Sequence, residues 1–288
     1  MKPEIHPLPP GLYLVATPIG NARDITLRAL DILASADVIA AEDTRTARKL
    51  LGLHSVPLNS RPLIAYHDHS GKSGRAGVAK LIAKGLSVAY VSEAGTPLVA
   101  DPGYALAREV AKAGLAVTAA PGASAALAAL SLSGLPSDRF LFAGFSPNTG
   151  KARKNWLIEL LRIPATLILF ESPKRIKGLL DDLCNIAGED RQAAICRELT
   201  KKFEEVLRGS LAELQTQVAS RTLKGEIVIV VAPGNAQDGD TDMEAQLIQA
   251  LQSMSVKDAA AMVAEACNVP RRKVYQAALA LADGKDKP

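Results

Sequence analysis

Short apolar runs alternate with longer segments of helical spacing along the first half of the chain. The apolar runs are brief and rich in β-favouring residues, which predicts strands at 12–17, 38–41, 63–66, 86–91 and 116–119. Between them, apolar positions three or four residues apart predict helices, such as 24–36 with Asp24 or Thr26 as its cap. This alternation is typical of a mostly parallel, doubly wound sheet, so we expect an α/β fold.

The pattern changes near residues 135–137, where the second half of the predicted core begins. Apolar or alternating runs occupy 193–196, 203–207 and 226–231, with a predicted helix between only the last two. The first two runs are joined closely, which favours antiparallel pairing. We therefore expect two α/β domains, 1–135 and 136–233, the second with a more mixed sheet.

The last part of the chain is predicted to form a linker and helices, without strands. Residues 234–242 are polar and contain glycine, which predicts a linker, and 243–288 are expected to form a small helical domain. An Ala-rich helix, a turn at Pro270 and a helix that opens with Arg271, Arg272 and Lys273 resemble a helix-turn-helix.

Small residues and prolines follow three of the predicted strands, at 17–20, 92–103 and 120–124. Gly95 and Gly103 permit positive φ, whereas Pro97 and Pro102 restrict the backbone. Each loop alone is more often a simple turn, and Ser124 is equally suited to capping its helix. Ligands of open α/β sheets bind beyond the carboxyl ends of the strands. Three such loops together therefore predict a crevice in which main-chain groups bind a cofactor.

Composition narrows the class of protein. The 288 residues are 48% hydrophobic and carry a net charge of +4, a mild excess that permits but does not require a nucleic-acid partner. Aromatic residues make up 4%, which argues against a stacking platform of the single-strand-binder type. Three widely spaced cysteines favour a reducing cytosol, and no apolar run approaches the ~20 residues of a membrane span. We expect a cytoplasmic protein without a membrane partner.

Several familiar catalytic signatures are absent from the sequence. It contains no Gly-x-Gly-x-x-Gly after a strand, no His-Glu-x-x-His and no Gly-x-Ser-x-Gly. Gly71-Lys72-Ser73 lacks the earlier glycine of a P-loop. His67 and His69 have the alternate spacing of a metal pair, but a polar pair at a strand end is favoured, and we expect no metal.

Motifs occur in a fixed order from residue 12 to about 233: T-P-I-G-N, E-D-T-R-T, S-x-A-G-T-P-x-x-x-D-P-G, A-P-G-A-S-A, F-E-S-P-x-R and G-E-x-V-x-V. Together they resemble the tetrapyrrole (corrin/porphyrin) methylase family, in its ribosomal RNA branch. The resemblance implies a two-domain tetrapyrrole-methylase-like fold that binds S-adenosylmethionine in the cleft between the domains. It implies 2′-O-methylation of a cytidine ribose in 16S ribosomal RNA near the decoding site. It also implies a homodimer whose partner is small-subunit ribosomal RNA or the assembled 30S subunit.

The resemblance also assigns cofactor-binding roles by position. These fall on Pro18, Ser92, Glu93, Ala94, Gly95, Thr96, Gly122, Ala123, Ser124, Phe170 and Glu226. Porphyrin-modifying branches carry Gly-Asp-Pro in the central loop, whereas this chain has Ala-Gly-Thr-Pro at 94–97. If the acidic role is kept, it moves to Glu93 or Asp101.

The implied chemistry requires in-line alignment of the methyl group and the hydroxyl at about 3 to 3.5 Å, and it benefits from a general base. Base candidates at predicted strand ends are Asp43, His67, Glu93 and Glu171. Each is also a plausible helix cap or loop acceptor, most directly Asp43.

Basic residues offer phosphate contacts to an RNA. Arg45 lies beside Asp43, and the other candidates are Lys151, Arg153, Lys154, Lys174, Arg175, Arg271, Arg272 and Lys273. The alternative for each cluster is a solvated helix face.

Two other functions stay open. One is a methylase of tetrapyrroles or another small molecule, which leaves the helical tail unexplained. The other is a non-catalytic RNA-binding assembly factor, which leaves the intact loops unexplained.

Overall fold

The computed structural model describes residues 3–67, 70–101, 103–234, 246–267 and 270–283. Its residues cluster into two compact units. The larger comprises Met1–Ile158 and Thr166–Ala232, and the smaller comprises Glu159–Ala165 and Pro233–Pro288.

The first sheet of the larger unit has five parallel strands in the order β3-β2-β4-β1-β5. The strands are β1 (Gly11–Val15), β2 (Val38–Ala41), β3 (Leu63–Ala65), β4 (Ser87–Val91) and β5 (Val117–Ala120). The helices that follow them are α1 (Leu27–Ser35), α2 (Thr44–Leu53), α3 (Gly71–Ala83), α4 (Tyr104–Lys112) and α5 (Ala125–Ser133). The predicted parallel α/β fold is confirmed.

Both faces of this sheet are buried, which explains why its central strands are continuous apolar runs. Alternate residues of β1 point to opposite faces: Tyr13 and Val15 pack with α1 and α2, whereas Leu12 packs with residues of α3 and α4. Tyr90 of β4 is fully buried on the second face. Both layers are needed to cover the sheet.

The second sheet also has five strands but mixes their directions, as expected. Its order is β6-β7-β10-β8-β9, with β6 and β7 parallel and the other neighbours antiparallel. The strands are β6 (Phe140–Phe145), β7 (Thr166–Glu171), β8 (Gln192–Arg197), β9 (Glu205–Ser210) and β10 (Ile227–Val231). The accompanying helices are α6 (Gly150–Leu161), α7 (Ile176–Ala187) and α8 (Leu211–Ala219).

Helix α5 joins the two sheets of the larger unit. It follows β5 of the first sheet, yet Ala126, Ala129 and Leu130 pack against Ile168 and Val228 of the second. Ile19, from the loop after β1, belongs to the same apolar cluster. The carboxyl ends of the first sheet therefore face the second sheet.

Some element boundaries differ from the sequence expectation. Helix α1 begins at Leu27 rather than residue 24, because the Thr26 hydroxyl accepts a hydrogen bond from the backbone N–H of Ala29 at 3.1 Å. Leu27 is exposed and does not share the buried face of Leu30 and Leu33. Strand β9 begins at Glu205 rather than 203, because residues 198–204 form the hairpin turn that precedes it.

The smaller unit is helical. Residues 246–250 are followed by helices Val256–Cys267 and Arg271–Asp283, which share a core of Leu247, Ala259, Ala260, Val263, Val274 and Ala278. Across the described residues, none of the helices combines the length and apolar character needed to span a membrane.

Candidate cofactor cleft

The three small-residue loops of the first sheet are bonded to one another. Thr17 and Gly95 exchange backbone hydrogen bonds of 2.9 and 3.0 Å. The Thr96 hydroxyl then donates to the carbonyl oxygen of Ala123 at 2.9 Å. The loops after β1, β4 and β5 therefore form one continuous wall.

Glycines allow these loops to approach so closely. Gly95 has a φ of 81°, and a Cβ added there would lie 3.2 Å from the Ile19 side chain. A Cβ on Gly122 would lie 2.9 Å from the Cβ of Ala16. A Cβ on Gly20 would meet the Lys201 side chain at 2.5 Å. The first two contacts close the wall, and the third brings the loop after β1 against the second half of the larger unit.

A cavity of about 630 Å³ opens between this wall and the second sheet. Loops of the first half contribute Pro18, Ile19, Gly20, Thr46, Glu93, Ala94, Gly95, Thr96, Val99, Ala100, Asp101, Ser124 and Ala125. The second half contributes Phe145, Phe170, Glu171, Ser172, Pro173, Lys201, Gly225, Glu226, Ile227 and Val228. The volume is within the range of small-molecule sites.

Most of the residues assigned to the cofactor by resemblance line this cavity. They are Pro18, Glu93, Ala94, Gly95, Thr96, Ser124, Phe170 and Glu226. Ser92, Gly122 and Ala123 do not line it. Ser92 is buried, and Ala123 supports the wall through the bond from Thr96. The Ser124 side chain makes no capping hydrogen bond to α5, although Ser124 occupies the N-cap position.

The wall contains a buried hydroxyl group, that of Thr17. Thr17 is 3% exposed, and its hydroxyl has no hydrogen-bond partner among the residues that the structure describes. An unpaired buried hydroxyl costs about 1–3 kcal/mol. Thr17 does not line the cavity, so this cost falls on the wall itself, at the bridge to Gly95.

The chemistry of the lining fits S-adenosylmethionine. Ile19, Phe145 and Phe170 provide apolar surface for a flat ring, and Phe145 contacts Phe170 edge-on with ring centroids 5.5 Å apart. Carboxylates exceed cations in the lining, with Glu93, Asp101, Glu171 and Glu226 against Lys201. This excess suits a ligand with positively charged sulfur and nitrogen.

Asp43 has a structural role as the N-cap of α2. Its carboxylate accepts hydrogen bonds from the backbone N–H groups of Arg45 and Thr46 at 2.7 and 3.3 Å. The Arg45 guanidinium also donates to it at 2.9 Å, and these bonds lower the pKa of Asp43 to about 2. Asp43 does not line the cavity, so its geometry supports the capping alternative over the role of base.

Glu171 lines the cavity but is held by its neighbours. Its side chain is fully buried and accepts hydrogen bonds from the Ser146 hydroxyl and the backbone N–H of Ser172. Arg175 lies 3.3 Å from one carboxylate oxygen and donates to the Ser146 hydroxyl at 2.6 Å. Both oxygens of Glu171 are therefore engaged, which fits a positioning role.

Glu93 is exposed and lines the cavity. Its backbone N–H donates to the Glu42 carboxylate at 3.0 Å, which ties the loop after β4 to the end of β2.

His67 does not line the cavity. Its backbone N–H donates to the Ser70 hydroxyl at 3.0 Å. His69 lies outside the described residues, and across those described no group of three or more His, Cys, Asp or Glu has the geometry of a metal site.

The basic candidates separate into exposed and inward-facing groups. Lys151, Lys154, Lys174, Arg271, Arg272 and Lys273 are exposed, and Arg45 is 91% exposed. Arg153 is 13% exposed and lies 2.6 Å from the buried carboxylate of Asp182, so it braces α6 against α7. Arg175 is bound to Glu171 and Ser146. The expectation that Arg153 and Arg175 contact RNA is not supported by their placement.

The sequence interpretation missed the loop between β8 and β9. Lys201 of this loop contacts Glu198 at 2.9 Å and Glu226 at 2.7 Å at the cavity. Burial alone lowers the pKa of Lys201, but hydrogen bonds to Glu226 and Glu198 outweigh burial and raise it. A polar stretch between two strands gave no signal of a site, because its importance comes from contacts with residues distant in sequence.

Comparison with known proteins places the chain in a family. The family described as Tetrapyrrole (Corrin/Porphyrin) Methylases matches residues 11–215. The chain therefore belongs to the tetrapyrrole methylase family. A second family, described as RsmI C-terminal HTH domain, matches residues 237–282.

Relatives that match nearly the whole chain carry the name Ribosomal RNA small subunit methyltransferase I. The protein of Mesorhizobium japonicum is 48% identical over 283 residues, spanning 96% of this chain and 94% of the relative. That of Xylella fastidiosa strain Temecula1 is 45% identical over 271 residues, spanning 93% and 98%. Among solved structures, a cobalt precorrin-4 methyltransferase shares the fold, with a TM-score of 0.58 at 16% identity over 77% of this chain and 94% of that chain.

Proposed function

We propose that this protein transfers the methyl group of S-adenosylmethionine to the 2′-oxygen of a cytidine ribose in 16S ribosomal RNA, near the decoding site. Its family supports methyl transfer with this cofactor, and the relatives named for small-subunit ribosomal RNA support the substrate. The observation that carries the proposal is the cavity walled by the bonded loops of Thr17, Gly95 and Ala123 and closed by the second sheet.

The cofactor supplies a methyl group activated by positively charged sulfur. The residues of this chain therefore need to align two groups and accept a proton. The wall fixes the cofactor through main-chain groups. Glu93 removes the proton of the ribose hydroxyl, because it is the exposed carboxylate among the base candidates that line the cavity.

The exposed cations bind RNA phosphates. In the larger unit these cations are Arg45, Lys151, Lys154 and Lys174. In the smaller unit they are Arg271, Arg272 and Lys273. The last three occupy the first turn of their helix, where the helix dipole disfavours positive charge by about 0.3–1 kcal/mol each. A phosphate ligand offsets this cost, which supports a binding role for the cluster.

The proposal includes the organisation of the chain. Residues 1–135 and 136–233 act as two halves of a methylase, 234–242 as a linker, most of which lies outside the described residues, and 243–288 as an RNA-binding helical domain. The substrate is either naked ribosomal RNA or the assembled 30S subunit. The protein acts in the cytoplasm as a homodimer, a state that analytical ultracentrifugation tests directly.

Labelled S-adenosylmethionine separates the candidate functions. The purified protein is supplied with under-methylated small subunits, with naked ribosomal RNA and with a porphyrinogen. We expect label in the RNA or the subunits, recovered after nuclease digestion as 2′-O-methylcytidine. Label in the porphyrinogen alone indicates a small-molecule methylase, and cofactor binding without transfer to any substrate indicates a non-catalytic factor. Label on a base rather than a ribose contradicts the proposed chemistry.

A further inference from the structure

We infer that Phe203 and the cavity beside it form a subsite for a nucleotide that flanks the methylated one, with the nucleobase stacked on the Phe203 ring. This inference rests on the proposed function, since it concerns the same RNA substrate. The side chain is 65% exposed at the turn between β8 and β9, and the Lys202 Nζ lies 5.6 Å from the ring centroid. An exposed aromatic ring beside a cation combines a stacking surface with a phosphate contact.

The turn that carries Phe203 is held rigidly. Glu198 and Thr200 have φ values of 51° and 63°, an uncommon conformation for residues other than glycine. The Glu198 carboxylate accepts from Lys201 Nζ at 2.9 Å and from the backbone N–H of Glu226 at 3.0 Å. The bond from Lys201 closes the turn on itself, and the bond from Glu226 fixes the turn to the residue that precedes β10.

The far side of the turn is fixed to the first half of the larger unit. The Thr200 hydroxyl accepts from the backbone N–H of Asn21 at 3.0 Å, and the backbone N–H of Thr200 donates to Glu204 at 2.6 Å. Phe203 is therefore presented by a preorganised segment. Preorganisation lowers the entropy cost of stacking a base on the ring.

A second cavity of about 310 Å³ lies next to the ring. It is lined by Arg197, Glu198, Phe203, Arg221, Thr222, Leu223, Lys224 and Gly225. Three cations and one carboxylate in this lining give a positive balance that favours an anionic ligand. The ring and Leu223 supply apolar surface, so the lining suits a nucleotide, which combines a flat base with a phosphate.

Two of the cations keep donors available after their protein contacts. Arg221 uses a single nitrogen, Nη2, to reach both carboxylate oxygens of Glu205 at 2.8 Å. Arg197 contacts the same carboxylate through Nε at 3.0 Å and donates through Nη1 to the carbonyl oxygen of Lys224 at 3.2 Å. These bonds orient both guanidinium groups without using all of their donors. The remaining N–H groups can therefore donate to a phosphate.

The second cavity adjoins the cofactor cleft. Gly225 lines both cavities, and Glu226, the next residue, lines the cleft. A Cβ on Gly225 would collide with the Glu198 carboxylate, so the backbone that lines both cavities has no room for a side chain at this point. A chain of nucleotides that places one ribose in the cleft has a short path to Phe203. The second cavity therefore takes a neighbouring nucleotide, which helps set the position of the ribose to be methylated.

Steady-state methyl transfer to small-subunit ribosomal RNA tests the subsite with Phe203→Leu and Phe203→Trp. Leucine keeps the apolar bulk but has no π face, so we expect the KM for RNA to rise about 5- to 100-fold. Tryptophan should keep the KM within about twofold. Cofactor affinity and the thermal midpoint should match the wild type in both variants, which separates loss of stacking from loss of the fold.

Tyr104→Leu is the matched control. Tyr104 is equally exposed and also has a cation, Arg108, 5.9 Å from its ring centroid, but it lines neither cavity. Its replacement should leave the KM for RNA unchanged. An unchanged KM in Phe203→Leu overturns the subsite, and so does an equal rise in both leucine variants.

Fluorescence gives a test that does not depend on turnover. The chain contains one tryptophan, Trp156, so Phe203→Trp in a Trp156→Phe background places a single reporter at the subsite. Quenching by small-subunit ribosomal RNA supports stacking, and unchanged emission at saturating RNA overturns it. If the wild type methylates no RNA but quenching occurs, the proposed function fails, and Phe203 is an RNA contact of a protein that does not methylate it.

Discussion

Thr17 and Gly95, which lie 78 positions apart, exchange backbone hydrogen bonds of 2.9 and 3.0 Å across the top of the first sheet. This reciprocal pair connects the loop after β1 with the loop after β4, although neither residue belongs to a strand of that sheet. It places the Gly95 backbone against Ile19 and leaves the Thr17 hydroxyl buried without a partner among the described residues. The cofactor wall depends on this contact.

Gly95→Ala should remove most of the affinity for S-adenosylmethionine. The added Cβ meets Ile19 at 3.2 Å, and the φ of 81° is unfavourable for alanine by about 1–2 kcal/mol. Gly114→Ala is the control, because Gly114 has a φ of 71° but no atom within 4 Å of an added Cβ. Isothermal titration should show weak binding only in Gly95→Ala. Equal affinities in the two variants would place the cofactor elsewhere.

Arg153→Ala should destabilise the larger unit by about 3–5 kcal/mol, because it leaves the buried carboxylate of Asp182 without its main partner. Lys154→Ala is the matched control, since Lys154 lies 3.6 Å from the same carboxylate but is largely exposed. Its loss should cost at most about 1 kcal/mol. Urea unfolding measures both, and a similar cost for the two variants would contradict the bracing role of Arg153.

Asp43 should make unfolding depend on pH in acid. Hydrogen bonds from Arg45 lower its pKa in the folded state to about 2, below its usual value of 3.8. The stabilisation is therefore complete above pH 3.8 and disappears as the pH falls through about 2. Asp43→Asn keeps a capping oxygen but does not titrate, so its free energy of unfolding should fall less steeply over this interval.

Asp24→Asn provides the comparison for that measurement, because Thr26 rather than Asp24 caps α1. This variant also removes a carboxylate, but it leaves the cap of α1 in place. If Asp43→Asn and the wild type have the same acid slope in urea titrations between about pH 5 and pH 2, the ionic contact with Arg45 does not stabilise the fold.

Glu93→Gln should lower kcat by about 10²- to 10⁴-fold, the usual contribution of a general base. Glu93 lines the cavity, and the amide preserves its shape while removing the proton acceptor. The loss of cofactor affinity should be far smaller than the loss of kcat, and the thermal midpoint should change little. A kcat within twofold of the wild type would exclude Glu93 as the base.

Glu171→Gln is expected to act differently. The change weakens the buried contacts with Ser146 and Arg175, so the thermal midpoint should fall. This drop distinguishes a positioning residue from a base, since the base variant keeps its stability. If Glu171→Gln loses kcat with an unchanged midpoint, the two assignments should be exchanged.

The cluster at the start of the last helix should govern the salt dependence of RNA binding. Replacing Arg271, Arg272 and Lys273 with Gln removes three positive charges from an exposed helical turn. The slope of log affinity against log salt should become shallower by about 0.7–0.9 for each RNA phosphate that is no longer neutralised. Cofactor binding serves as the control and should be unaffected. An unchanged slope would show that the cluster is a solvated face.

Patterns along the chain predicted the first sheet well, because buried parallel strands are short apolar runs whose neighbours in sequence are helices. The closely joined runs at 193–196 and 203–207 likewise predicted the antiparallel pairing in the second sheet. The three cofactor loops were also predictable, since glycine and proline mark backbone that cannot pack as core. Local sequence did not distinguish the alternative roles of Asp43 and Arg153. A carboxylate that caps a helix, as Asp43 does, has the same local sequence pattern as one that accepts a proton. For Arg153, only the tertiary structure shows that its side chain is buried against Asp182.

The sequence by itself determined the α/β class, the order of the elements and the loops that line the cleft, because those features follow from periodicity and from the conformational limits of glycine and proline. Tertiary structure decided how the loops join and which side chains reach the cavity. It paired Thr17 with Gly95. It also brought Lys201 to the cleft and Phe203 to the cavity beside it, from a turn whose local pattern did not indicate a site. Such contacts depend on how the two halves pack, a property that no stretch of the sequence encodes alone.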